Sequence, residues 1–182
     1  MAGLSRDERA WIRRAQAGSV SDLEELFRAH WPRAYRAAYL VVQDHSAAED
    51  IAQEAFLAAV RNLDSFDRER PFGPWLHRIV VNRSIDWARG RLARREVSGE
   101  TLADITDPLG WSTAPHIESE AKAIATGLTV LPPEQRAVIV MRYLLEYSPG
   151  EIADVLEIPR GTVNSRLRRG LDALRSTLEE QS

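Results

Sequence analysis

Apolar residues recur three and four positions apart along nearly the whole chain, and nowhere do they alternate. Leu23, Leu26 and Phe27 lead into Tyr35, Ala38, Tyr39 and Val42, and Ile51, Ala55, Phe56, Ala59 and Val60 repeat the spacing. That period belongs to helices with one buried stripe, whereas a strand needs a period of two. An all-α fold is therefore expected. The prolines agree: Pro71, Pro74, Pro132, Pro133, Pro149 and Pro159 stand at expected helix starts, where a missing N–H costs nothing. Pro32 falls inside a helical stretch and is the one expected source of a kink. The period breaks at VSGETLADITDPLGWSTAPH, which is rich in Gly, Pro, Ser, Thr and acids and reads as a linker. Two small helical domains, 1–95 and 121–182, are thus expected on either side of a flexible acidic linker at 96–120.

The net charge of −3 hides a strong segregation. Residues 77–95 carry six Arg against Asp86, a net +5, and 160–175 carry five Arg against Asp172, a net +4. Between them 96–120 holds six acids and no base. Two basic segments flank an acidic one, so a mildly acidic chain does not exclude a nucleic-acid partner. Absence of cysteine excludes disulfides, zinc thiolates and a thiol nucleophile. The start, MAGLSRDERAWIRR, lacks the apolar core of a signal peptide, and no run approaches the roughly 20 apolar residues of a membrane span. A cytoplasmic location without membrane insertion is expected.

The segment from Tyr147 to Leu178 carries the sharpest local signals. Ser148-Pro149-Gly150-Glu151 forms a capping box with Pro at the first helical position, so a helix starts there. It breaks at Glu157-Ile158-Pro159, and a second helix runs from about Arg160 to Leu178. Two helices joined by so short a turn describe a helix-turn-helix. On a helical wheel, Val163, Leu167, Leu171, Leu174 and Leu178 form a stripe about 80° wide that faces the core. Thr162, Ser165, Arg166 and Arg169 fall opposite. Hydroxyls and guanidinium groups on one short face suit major-groove reading, since Arg pairs bidentately with guanine. A solvated face of a bundle helix is the plainer alternative.

EIADVLEIPRGTVNSRLRRGLDAL, with its lead-in LPPEQRAVIVMRYLLEYS, closely resembles the carboxy-terminal domain of bacterial sigma factors. That resemblance implies docking on the beta-subunit flap of RNA polymerase and reading of the minus-thirty-five promoter element. The implied readers are Arg160, Thr162, Val163, Ser165, Arg166 and Arg169. In the first lobe, Asp50-Ile51-Ala52-Gln53-Glu54-Ala55-Phe56 resembles the same family's D-x-x-Q-E-x-F signature. The wheel puts Asp50, Gln53, Glu54, Leu57 and Arg61 on one face and Ile51, Ala55, Phe56, Ala59 and Val60 on the other. Alone this is an ordinary amphipathic helix. The resemblance implies that the polar face grips the beta-prime coiled coil of core polymerase.

PFGPWLHRIVVNRSIDWARGRLARR resembles the family segment that recognises and opens the minus-ten element. Phe72, Leu76, Ile79, Val80 and Trp87 share one side of the wheel, while Arg78, Asn82 and Arg89 share a strip with Trp75 beside it. Such a strip can hold a phosphate backbone and stack or bond unpaired bases. Trp75 and Trp87 serve equally well as packed core residues. Arg83 and Asp86 are assigned to the same minus-ten set, although their spacing of three also lets them pair with each other. The resemblance further implies a flipped base held just ahead of this helix, in Asp64 to Arg70, without naming the residues that line its pocket.

The two-domain plan resembles the small extracytoplasmic-function (ECF) sigma factors. It implies core polymerase and promoter DNA as partners, an anti-sigma protein as inhibitor, and an acidic linker suited to the polymerase's basic channel. Gly170 departs from the family's common Ala. The rival is a helix-turn-helix regulator that binds duplex DNA as a dimer without opening it, which leaves DIAQEAF and WLHRIVVN without a task. Catalysis is not expected: His30, His45, His77 and His116 are scattered, and HExxH, P-loop and GxSxG motifs are absent. No cofactor or metal is expected either.

Overall fold

The computed structural model describes residues 6–98 and 126–180. Its helices are α1 (Arg6–Gln16), α2 (Val20–Val42), α3 (His45–Arg61), α4 (Phe72–Ser98), α5 (Pro133–Tyr143), α6 (Pro149–Leu156) and α7 (Arg160–Glu180). A 3-10 turn at Leu63–Ser65 follows α3, and a helical turn at 126–129 precedes α5. There is no strand among the described residues, so the fold is all-α. Most of the expected linker lies outside the described residues, but α4 runs on to Ser98 and takes in the first residues assigned to it.

In the first lobe α2 is central, with α1, α3 and α4 packed around it. Small residues allow the close approach: Ala34, Ala37 and Ala38 on α2 and Ala48, Ala52, Ala55 and Ala59 on α3 are fully buried. Ser19 caps α2 by accepting from the Asp22 N–H, and Asp44 caps α3 by accepting from the Ala47 N–H. Helix α2 continues unbroken through Pro32. In the second lobe the capping box at Ser148 and Glu151 starts α6, and Glu157, in the left-handed region at φ 54°, ends it. Helix α7 then lies across α5 and α6.

The two lobes pack together, α2 and α4 of the first against α5 and α6 of the second. One buried cluster runs through both, from Ile12 and Tyr39 to Met141, Ile152 and Val163. Arg136 lies inside this junction without a carboxylate partner. It donates instead to the carbonyls of Leu128 (2.9 Å), Leu131 (3.0 Å) and, across the lobes, Val41. Val41 is in the last turn of α2, where carbonyls lack helical partners and the dipole favours a cation. Burial lowers the Arg136 pKa to about 10, which leaves it charged at neutral pH.

Candidate functional site

Asp50, Gln53, Glu54, Leu57 and Arg61 are all exposed on one face of α3, while Ile51, Ala52, Ala55, Phe56 and Ala59 of the same helix are buried. Leu57 is 55% exposed, an apolar residue offered to solvent amid charge. Beside this face an apolar groove of about 370 Å³ opens between α2 and α3. Val20, Leu23, Phe27, Phe56, Leu57 and Val60 line it. Phe27 and Val60, read from the sequence as core, are each 40% exposed there. A stack of Phe27 on Trp31, with centroids 4.8 Å apart, forms part of its wall.

On α4 the expected strip is present: Asn82, Arg83, Asp86 and Arg89 are exposed and Arg78 is half-buried. Its three Arg residues all have acidic partners. Arg83 pairs with Glu54 on α3, and not with Asp86, because α3 packs alongside and brings a carboxylate to it. That bond joins the α3 face to the α4 strip. Arg78 pairs with Glu157 and Arg89 with Glu134, both acids from the second lobe. Trp75 is half-buried, its ring 4.6 Å from that of Phe66 and 5.6 Å from that of Phe72, so it packs the loop onto α4.

Helix α7 exposes Arg160 and Arg169 and half-exposes Thr162, Ser165 and Arg166. Val163 is fully buried and leaves the set of readers. Its place on the wheel already set it with Leu167 in the core stripe, and packing against the lobe's interior keeps it from any groove edge. Gly170 is also buried: an alanine Cβ there would stand 2.6 Å from Ile139 Cδ1. The departure from the family's Ala therefore reflects a close approach of α7 to α5.

Glu134, at the start of α5, lies within reach of Arg89 on α4 and Arg166 on α7. Burial works against its charge, but its own backbone N–H, the Arg89 guanidinium and the field of Arg166 hold its carboxyl below the usual range. Elsewhere in the junction, His77 of α4 and Tyr147 of the second lobe share a hydrogen bond of 2.7 Å between Nδ1 and the hydroxyl. Burial, aided by His30 and Arg33, pushes His77 down to about 3, and burial raises Tyr147. Sequence reading assigned none of these junction residues. Arg136 carried a weak signal, a lone Arg set among Ala137, Ile139 and Val140, whereas His77, Glu134 and Tyr147 carried none.

An all-helical pair of lobes, with an Arg-bearing strip on α4 and a helix-turn-helix in α6–α7, defines a DNA-binding protein. Comparison narrows the class. The Sigma-70 region 2 family matches residues 26–94 and the Sigma-70 region 4 family matches 121–174. The chain is 31% identical to the ECF RNA polymerase sigma factor SigW of Bacillus subtilis over 93% of this chain and 94% of that one. It is 35% identical to the ECF sigma factor SigM of Mycobacterium tuberculosis over 84% of this chain and 75% of that one. The fold matches CnrH, solved with the cytosolic domain of CnrY, at TM-score 0.72 and 27% identity, covering 97% of this chain and 99% of CnrH. The chain belongs to the ECF RNA polymerase sigma factors, which bind core polymerase and direct promoter-specific initiation. Among the described residues no helix is long and apolar enough to cross a membrane, and no three metal-ligating side chains cluster.

Proposed function

We propose that three exposed faces divide the work of this sigma factor. Asp50, Gln53, Glu54, Leu57 and Arg61, with the adjoining apolar groove, bind core polymerase. Trp75, Arg78, Asn82, Arg83, Asp86 and Arg89, with the loop at Asp64 to Arg70, meet the minus-ten element. Arg160, Thr162, Ser165, Arg166 and Arg169 read the minus-thirty-five element. The observation that carries this reading is that the polar residues chosen from sequence are exposed or half-exposed on α3, α4 and α7, while most of the apolar residues on the opposite faces are buried or half-buried. No catalytic role is assigned to the chain, and its place of work is the cytoplasm, beside the polymerase.

Arg78 and Arg89 are engaged by Glu157 and Glu134, so the packed arrangement is a closed form in which two guanidinium groups of the minus-ten strip are tied to the second lobe. Activity requires the lobes to part. An anti-sigma protein that binds the closed form is the expected inhibitor. The test is initiation by reconstituted holoenzyme on a genomic promoter library, with RNA ends sequenced. Asp50→Ala or Gln53→Ala should weaken core binding, and Arg166→Ala or Arg169→Ala should weaken promoter selection. Absence of specific initiation on every promoter would sink the proposal.

A further inference from the structure

Helix α1 ends at Gln16, ahead of the segment matched by the region 2 family, yet its side chain reaches the loop between α3 and α4. The Gln16 amide nitrogen donates to two loop carbonyls, Leu63 O at 2.8 Å and Phe66 O at 3.1 Å. Its oxygen accepts from Arg68 Nε. Both amide hydrogens and the carbonyl are thus used, which fixes the orientation of the amide. One side chain holds the loop at three points spaced over six residues.

The platform beneath Gln16 is rigid. Gly18, at φ +94°, turns the chain between α1 and α2, a conformation that L side chains rarely adopt. Asp22, buried at 8% exposure, accepts from Arg14 Nε at 2.8 Å and from Ser19. These bonds lock the end of α1 to the start of α2. From the other side, Phe66 is buried with its ring against Phe72 and Trp75 at the start of α4. The buried ring and the Gln16 amide therefore define the loop backbone between them. What remains exposed is Asp64, Ser65 and Asp67 to Arg70. Asp67 shapes that part further by accepting from the Glu69 N–H at 3.0 Å.

We infer that Gln16 is a positioning residue for minus-ten selectivity: it sets the backbone of the 63–68 loop and the direction of Arg68. The inference rests on the reading that this loop meets the minus-ten element. Geometry explains why the effect is selective. A base pocket made by a loop tolerates little displacement, whereas the α7 face and the α3 face have no bond to Gln16.

The experiment uses purified holoenzyme made with the full chain, so that only folded, polymerase-bound protein is scored. Wild type, Gln16→Met, Gln16→Glu and Arg68→Ala are compared on two promoter libraries, one randomised at the minus-ten element and one at the minus-thirty-five element. Met keeps the length without donors, and Glu keeps an acceptor for Arg68 but faces two carbonyls with a carboxylate. With two hydrogen bonds lost in Gln16→Glu and three in Gln16→Met, both variants should lower the ratio of preferred to disfavoured minus-ten bases by about tenfold or more. Preference at minus thirty-five and affinity for core should stay at wild-type values. A merely structural role would lower output at all promoters alike and leave base ratios intact, which overturns the inference. If Arg68→Ala alters minus-ten preference and neither Gln16 variant does, the inference fails while the loop reading stands. If none of the three alters it, the loop reading fails and takes the inference with it.

Discussion

Acidifying the isolated factor from pH 7 to pH 5 should separate its lobes, and His77 is the reason. In the closed form the imidazole is 5% exposed, bonded through Nδ1 to the Tyr147 hydroxyl, with Nε2 left without a partner. An imidazolium there would have one N–H unbonded in a dry site near Arg33. Burial accordingly brings the pKa from 6.5 to about 3. Separation of the lobes removes Tyr147, admits water and restores the ordinary value. The open form thus binds more protons than the closed form between about pH 3 and 6.5, and closure is lost as pH falls through that window. With those two values, the step from pH 7 to pH 5 shifts the equilibrium by about 2 kcal/mol, or about twenty-five-fold toward the open form.

Glu134, whose carboxyl the closed form holds below the usual range, acts in the same direction as pH falls, and the His77→Gln comparison separates the two. The chain has no cysteine, so Ser46→Cys and Asp154→Cys, both exposed and one in each lobe, accept a fluorescent donor and acceptor. Energy transfer should fall between pH 7 and pH 5 in this background, and addition of His77→Gln should remove most of the response. If the His77→Gln protein opens as far over the same pH range, the reasoning is refuted.

Freeing the minus-ten strip from the second lobe should have a small, measurable effect. Glu134→Gln with Glu157→Gln removes two interlobe pairs, each of the kind that contributes about 0.2–1 kcal/mol. The isolated factor should bind single-stranded minus-ten DNA a few-fold more tightly in fluorescence anisotropy at low salt, and unchanged affinity would remove the pairs as a latch. Gly170→Ala should gain little of the usual helix benefit of about 1 kcal/mol, because the new methyl meets Ile139. Combining it with Ile139→Val, which deletes the obstructing Cδ1, should give a higher Tm than Ile139→Val alone; an equal or lower Tm contradicts the steric account. Val163→Ala should lower Tm without changing minus-thirty-five preference, whereas Arg166→Ala should do the reverse, with melting and library selection as the two readouts.

Local grammar was legible in the sequence, and long-range pairing was not. The capping box at Ser148 and Glu151 and the break at Glu157-Ile158-Pro159 depend on neighbours a few residues apart, so their residues announce them, although the left-handed backbone of Glu157 does not follow from its side chain. The α3 face was legible because burial of one stripe leaves a period. Phe27 and Val60 show the limit of that period, which marks them as apolar but not as the walls of an open groove. Arg83 was spaced to pair with Asp86, yet its partner is Glu54, 29 residues away. His77 and Tyr147 are separated by 70 positions, and Gln16 and Phe66 by 50. Such contacts depend on how helices dock, which no periodicity records. Val163 is a different case: the wheel placed it in the core correctly, and the motif resemblance assigned it to DNA.

The junction also explains how closure can be firm yet reversible. When the lobes part, Arg136 keeps its bonds to Leu128 and Leu131, which lie in its own lobe, and gives up only Val41. His77 and Tyr147 both find water. The Arg78–Glu157 pair is exposed and the Arg89–Glu134 pair half-buried, and on the proposed reading each Arg exchanges a carboxylate for a phosphate, so the pairs oppose opening little. What holds the closed form is therefore chiefly the apolar surface buried between the lobes. The charges do something else. A guanidinium whose charge is already met by Glu157 or Glu134 attracts the DNA backbone less, so on the proposed reading closure and promoter binding oppose each other at Arg78 and Arg89. Linkage then requires reciprocity: if a protein that favours the closed form weakens promoter binding by some factor, promoter DNA weakens the binding of that protein by the same factor. An inhibitor consequently has no need to cover the DNA-reading residues; it needs only to bind the closed form better than the open one.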